Sequence, residues 1–145
     1  MSIEKKLRAE IRALVEKRIS MPGARSRSFV IGARFPKSLS QGGSRHRAKS
    51  LRACADVIVA APELLKARVD HPLRVGGCGT KPVRIRSLDG AIARRCRVEG
   101  KVAAALRLHY WLLPDGSIEL ASVNTHEDMT IPACTRRPED RRSQQ

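Results

Sequence analysis

Between Leu106 and Val123 the sequence reads LRLHYWLLPDGSIELASV, and a β-hairpin is the arrangement that satisfies it. Leu106, Leu108, Tyr110 and Leu112 alternate with Arg107, His109 and Trp111, which puts the two sets on opposite faces of an extended strand. Leu113-Pro114-Asp115-Gly116-Ser117 supplies the turn, because Pro fixes φ and Gly accepts a positive φ. Ile118 to Val123 returns as the partner strand. The second face is the open question. An Arg, a His and a Trp on one strand form either the edge of a chemical site or the polar side of an ordinary hairpin.

The elements upstream are punctuated by proline and glycine. Ile3, Leu7, Ile11, Leu14, Val15 and Ile19 recur at helical spacing behind Ser2, which suits an N-cap, and Met21-Pro22-Gly23 ends the pattern. Residues 22–28 are a polar basic linker, and Phe29 to Phe35 reads as a short strand. A loop over Pro36–Ser44 precedes a helix from about Arg45 to Ala60, with Leu51, Cys54, Val57 and Ile58 as its buried stripe. Pro62 fits the first position of a second, short helix, PELLKARV. The Gly-rich GGCGTKP lacks the GxxxxGK[ST] order of a phosphate loop and reads as a turn. Val83, Ile85, Cys96 and Val98 alternate with Arg84, Arg86, Arg95 and Arg97, which implies half-buried strands with one Arg-lined face and makes these four arginines candidate phosphate contacts. Leu88-Asp89-Gly90 turns between them, and Thr125 and Asp128 can cap a closing turn or short helix. The order predicts an α+β fold, a small antiparallel sheet with helices packed on one face. The expected divisions are a basic amphipathic helix over 1–21, a linker with a short strand over 22–44, an α+β domain over 45–132, and a mobile basic tail over 133–145.

Charge narrows the partners. The 145 residues hold 29 Lys and Arg against 14 Asp and Glu, a formal +15. The excess is +10 over residues 1–50, +5 over 51–100 and zero thereafter. Such a balance drives association with polyanions, and Arg suits planar phosphate contacts better than Lys. Arg45, Arg47 and Lys49 sit at the start of a helix, where phosphate is already favoured. No CxxC pair occurs among Cys54, Cys78, Cys96 and Cys134, and the four histidines complete no zinc spacing. No metal or cofactor is therefore expected. Reduced thiols in the cytoplasm are expected in the absence of a signal peptide, and no apolar run suggests a membrane partner.

The chemistry concentrates on Arg107, His109 and Trp111, on the neighbouring Arg95 and Arg97, and on His126 just past the hairpin. Metal-independent RNA cleavage requires an activated 2′-OH, a neutralised pentacovalent phosphate and a protonated 5′-oxygen. Arg neutralises phosphate, His moves protons, and an aromatic ring holds a splayed base. The plainer account keeps these residues as the polar side of a strand, with Trp111 covering the core edge. No GxSxG elbow occurs, and Glu127 with Asp128 suits capping better than acid–base work.

RAKSLRACADVIVAAP, the Arg-bearing strand, RLHYW, PDGSIEL and VNTHED follow one another in an order that resembles RelE/ParE-superfamily toxins, loosely the YhaV-type members, over about residues 45–129. The resemblance implies a RelE-like α+β fold, endoribonuclease activity on RNA, often messenger RNA at the ribosome, and a cognate acidic antitoxin. It implies phosphate binding by Arg95, Arg97 and Arg107, and acid–base roles for His109 and His126. The basic first 44 residues are extra to the pattern or divergent from it, and no Tyr follows the terminal segment. ParE-type relatives act on gyrase, so the fold alone does not settle the chemistry. The rival expectation is a non-catalytic nucleic-acid-binding regulator, with an adaptor for an acidic protein surface behind it.

Overall fold

A computed structural model describes residues 2–41, 43–75, 81–99, 105–125 and 130–133. The chain runs α1 (Ile3–Glu16), β1 (Phe29–Ile31), α2 (Phe35–Ser40), α3 (Gly43–Val59), α4 (Pro62–Ala67), β2 (His71–Pro72), β3 (Ile92–Arg97), β4 (Leu106–Leu112) and β5 (Ile118–Thr125). The strands form one sheet in the order β1-β5-β4-β3-β2. The fold is α+β, as the element order predicts. The sheet is mixed, however, and not wholly antiparallel: β1 runs parallel to β5, with Phe29 opposite Ile118 and Ile31 opposite Leu120. Between the two parallel strands the chain passes through α2, α3 and α4 to the far edge at β2 and comes back through β3 and β4, so no tight turn has to join them.

Local chemistry sets most element ends. The Ser2 hydroxyl accepts from the Lys5 amide at 3.2 Å and caps α1. Helix α1 stops at Glu16, six residues before Pro22, so Ile19 lies outside it and is half exposed. Gly23 is obligatory twice over: its φ is +77°, and a Cβ there would stand 2.7 Å from Pro62 Cδ. Gly32 ends β1 against the sheet, where a Cβ would meet the Leu120 carbonyl oxygen at 2.6 Å. The expected Pro36–Ser44 loop is instead largely the short helix α2, which starts at Phe35 with Pro36 in its first turn and buries Phe35 and Leu39.

The main core lies between the helices and one sheet face. Leu7, Ile11 and Val15 of α1, Phe35 and Leu39 of α2, and the Leu51–Val59 stretch of α3 meet Leu108, Tyr110, Ile118, Leu120 and Val123. The first 44 residues therefore belong to the same core as the region that follows. Burying such apolar surface is the main stabilising term, about 25 cal/mol per Å² removed from water.

Buried ion pairs bind the layers. Asp56 of α3 accepts from Arg18 Nε at 2.7 Å and Arg68 Nε at 2.6 Å. Asp70 accepts from Tyr110 Oη at 2.5 Å and from Arg94 at 2.7 and 2.9 Å.

The opposite sheet face is covered by coil. Leu73, Ala91, Ala93, Trp111 and Ala121 make a second, smaller cluster, with Leu113 and Ile131 packed against it. A register shift between His109 and Tyr110 sets His109 opposite Ser122 and Tyr110 opposite Leu120. The extra residue, Ala121, thereby joins the second cluster while Leu120 and Val123 both stay in the main core. Val83 and Ile85, expected in a strand, make only isolated bridges to Arg74 and Ile92. His126, Glu127 and Asp128, with the closing turn expected there, lie outside the described residues, as does the tail from 134.

Candidate nucleic-acid interface

Strand pairing assembles a basic row that spacing alone does not define. Across β3 and β4, Arg97 pairs with Arg107 and Arg95 with His109, while across β2 and β3 His71 pairs with Arg95. His71, Arg95, Arg97 and Arg107 line one small polar cavity of about 70 Å³, with Val69 and Cys96 completing its wall.

The electrostatics reflect crowding. Arg107 is held below the usual guanidinium range, first by burial and then by the charges of Arg97 and Arg95. Burial lowers Arg95 as well. Like charges facing each other on a ladder cost stability, roughly 0.2–1 kcal/mol a pair. The arrangement favours an anion that would relieve the repulsion.

The N-terminal end of α3 reaches the same end of the sheet. His46 Nε2 lies 3.5 Å from Glu99 Oε1, just past β3. A second cavity, about 260 Å³, is lined by His46 and Ser50 together with Leu106, Asn124 and Thr125. Arg45 is exposed and Lys49 half-buried on this helix. Arg47, grouped with them on sequence grounds, instead clamps Glu10 of α1 through bonds of 2.6 and 2.8 Å.

His109 and Trp111 share a face with Arg107, as the alternation predicts, but neither is open. A segment from Thr130 to Pro132 lies over them. The Thr130 carbonyl oxygen is 2.8 Å from His109 Nδ1 and accepts from Asn124 Nδ2 at 3.1 Å. Trp111 Nε1 donates to the Pro132 carbonyl at 2.9 Å. His109 is 0% exposed and Trp111 4%. The Trp111 ring also carries the Arg86 guanidinium 4.8 Å from its centroid. As placed, it packs the sheet and presents no open platform for a base.

Arg86, expected among the phosphate contacts, is taken up internally. It bonds Glu119 at 2.9 Å and Asp89 at 2.7 and 3.1 Å, and is 6% exposed. The reason is burial. Glu119 is 0% exposed and faces the second cluster, where a carboxylate requires a cation. Arg84 is half-buried in the same coil, its amide donating to the Leu73 carbonyl at 2.8 Å.

His71 is the site residue that pattern reasoning passed over. It sits in a Gly- and Pro-rich stretch, which reads as a turn, and only its pairing with Arg95 reveals it. It is half-buried, its Nδ1 2.9 Å from the Pro72 carbonyl oxygen. His126 lies outside the described residues. No group of three or more His, Cys, Asp or Glu suited to hold a metal ion occurs among the described residues, nor does a helix long and apolar enough to cross a membrane. Comparison with protein-family models, with curated proteins and with solved structures finds no match for this chain.

Proposed function

We propose that the protein is a RelE-like, metal-independent endoribonuclease that grips the RNA backbone between Arg95, Arg97 and Arg107. The observation that carries this reading is the direct pairing of Arg97 with Arg107, next to Arg95, over a polar cavity that His71 also lines. Three guanidiniums around one small cavity match a phosphodiester by charge and donor geometry. Arg45 and Lys49 at the same end extend the positive surface along a bound strand.

In the proposed reaction the 2′-oxygen attacks phosphorus, one group takes the 2′-OH proton, and another protonates the departing 5′-oxygen. The arginines balance the added charge on the phosphorane. His71 and His109 are the described candidates for proton transfer. A carbonyl at 2.8 Å orients the His109 ring, a support that commonly selects a tautomer. The resemblance adds His126 to this set, an action on messenger RNA at the ribosome, and a cognate acidic antitoxin.

The full burial of His109 favours a second reading, a regulator that binds nucleic acid without cutting it. One experiment separates them. Purified protein is incubated with end-labelled RNA, alone in the presence of EDTA and with ribosomes in magnesium buffer. Cleavage that is lost in His71→Ala, His109→Gln or His126→Ala while RNA affinity persists supports the nuclease. Tight binding with no cleavage under any of these conditions supports the regulator. Full binding and cleavage by Arg97→Ala/Arg107→Ala removes the arginine cluster from either account.

A further inference from the structure

At the other corner of the molecule the hairpin turn and the basic linker enclose a cleft of about 740 Å³. Arg25, Arg27, Phe29 and Val30 form one wall, and the stretch from Leu112 to Ser117 forms the other. It lies on the far edge of the sheet from His71. Along β4, Leu112 is five residues from Arg107, about 17 Å at the strand rise.

The linker wall is pinned. The amides of Arg25 and Arg27 each donate to α3, to the carbonyls of Val59 and Ile58, at 2.7 Å. Between them Ser26 holds a φ of +49°, a costly value for a residue with a side chain. The two arginines are therefore carried on fixed backbone. Arg25 is exposed, and Arg27 Nη1 is closed off from solvent with no hydrogen-bond partner among the described residues. A buried, unsatisfied guanidinium nitrogen is costly, so the half-buried Arg27 side chain gains by turning into the cleft toward an acceptor.

We propose that this cleft docks an acidic peptide segment of a partner protein, its carboxylates on Arg25 and Arg27 and its apolar side chains on Val30, Leu112 and Leu113. The inference stands apart from RNA cleavage, because it uses other residues at another corner.

The lining favours peptide over nucleic acid. Its floor is aliphatic, with Leu112, Leu113 and Val30 all part-exposed, whereas single strands bind on open aromatic rings. Phe29 offers no such ring, since it is 7% exposed and Arg8 covers it at 4.7 Å. Asp115 stands on the rim, kept ionised by its bonds from Ser117. A fixed carboxylate repels a continuous polyphosphate, while a peptide can turn an amide or a cation toward it.

The test uses full-length protein and fluorescence anisotropy. The probes are a labelled peptide of alternating Glu and Leu, a charge-matched peptide of Glu and Ser, and a labelled single-stranded RNA. The Glu/Leu peptide should bind at least tenfold more tightly than the Glu/Ser peptide. Arg25→Ala/Arg27→Ala, and separately Pro114→Glu on the exposed rim, should each weaken it tenfold or more. Arg12→Ala/Arg52→Ala, which removes the same charge from exposed positions of other elements, should change it by less than twofold. Circular dichroism confirms that each variant is folded. Equal loss in the two arginine pairs would reduce the binding to net charge and overturn the proposal. So would RNA affinity falling in Arg25→Ala/Arg27→Ala as far as peptide affinity, which would make the cleft an RNA groove. Neither result bears on Arg97 and Arg107, so the RNA reading stands or falls separately.

Discussion

Arg97 on β3 stands directly opposite Arg107 on β4, two like charges at one ladder position. Opposite charges there would stabilise the sheet, so this pairing costs stability where it stands. Replacing either residue with Gln should raise unfolding stability by a few tenths to about 1 kcal/mol. The same change should weaken RNA binding and lower the slope of log affinity against log salt by about one. Denaturant unfolding and a salt titration check the two halves. A variant less stable than the parent would show that the pair supports the sheet and would count against a site held at a cost.

Arg86 is predicted to be structural. Arg86→Met leaves the Glu119 carboxylate, 0% exposed, without its guanidinium 2.9 Å away. Removing one partner of a buried pair typically costs about 3–5 kcal/mol. Adding Glu119→Leu should recover much of the loss, because it removes the fully buried carboxylate, while the more open Asp89 still lacks its guanidinium partner. Urea melts of the two single variants and the double variant measure the coupling. Additive losses would contradict the pairing.

Tyr110 should tie stability to alkaline pH. Its phenol donates to Asp70, and burial followed by the Asp70 carboxylate pushes its pKa above the ordinary 10.0. The unfolded chain therefore releases this proton first. Its contribution is complete below about pH 10 and is lost as pH rises toward the raised folded value, at up to about 1.4 kcal/mol per pH unit. Tyr110→Phe should cost about 1–3 kcal/mol at neutral pH, since Asp70 loses a donor. It should also flatten the fall between pH 9.5 and 11. Guanidinium melts across that range decide it, and an unchanged slope would exclude Tyr110 as the source.

Cys54 and Cys96 should resist alkylation in the native protein. Both are buried, and burial raises both thiols far above 9.0. Reaction with iodoacetamide at pH 8 should need unfolding, so adding denaturant should speed it by orders of magnitude. Mass spectrometry of digested peptides identifies the sites. Rapid native labelling of Cys96 would show that the polar cavity beside it opens to solvent.

Much of the fold follows from local sequence. The hairpin is legible because alternation assigns Leu108 and Tyr110 to one face and Arg107, His109 and Trp111 to the other. Ser2, Pro62 and the Leu7-Ile11-Val15 stripe mark helices by the same kind of short-range rule. Two expectations failed for long-range reasons. A parallel partner for β1 depends on β5, nearly ninety positions away in register, and no local signal encodes it. Phe35 reads as the end of a strand and Pro36 to Ser40 as a loop until the core that buries Phe35 and Leu39 is present.

The candidate site divides the same way. By itself the sequence determined the hairpin, the α+β class, the +15 charge and the face on which each strand residue stands, because side-chain direction has a period of two. Tertiary structure alone decided what each face meets. It committed Arg86 to Glu119, 33 positions away, laid the Thr130 carbonyl over His109, and gathered His71 with Arg95, Arg97 and Arg107 around one cavity. Which arginine serves the core and which serves a ligand is a matter of desolvation and of partners distant in sequence, and neither is written in spacing.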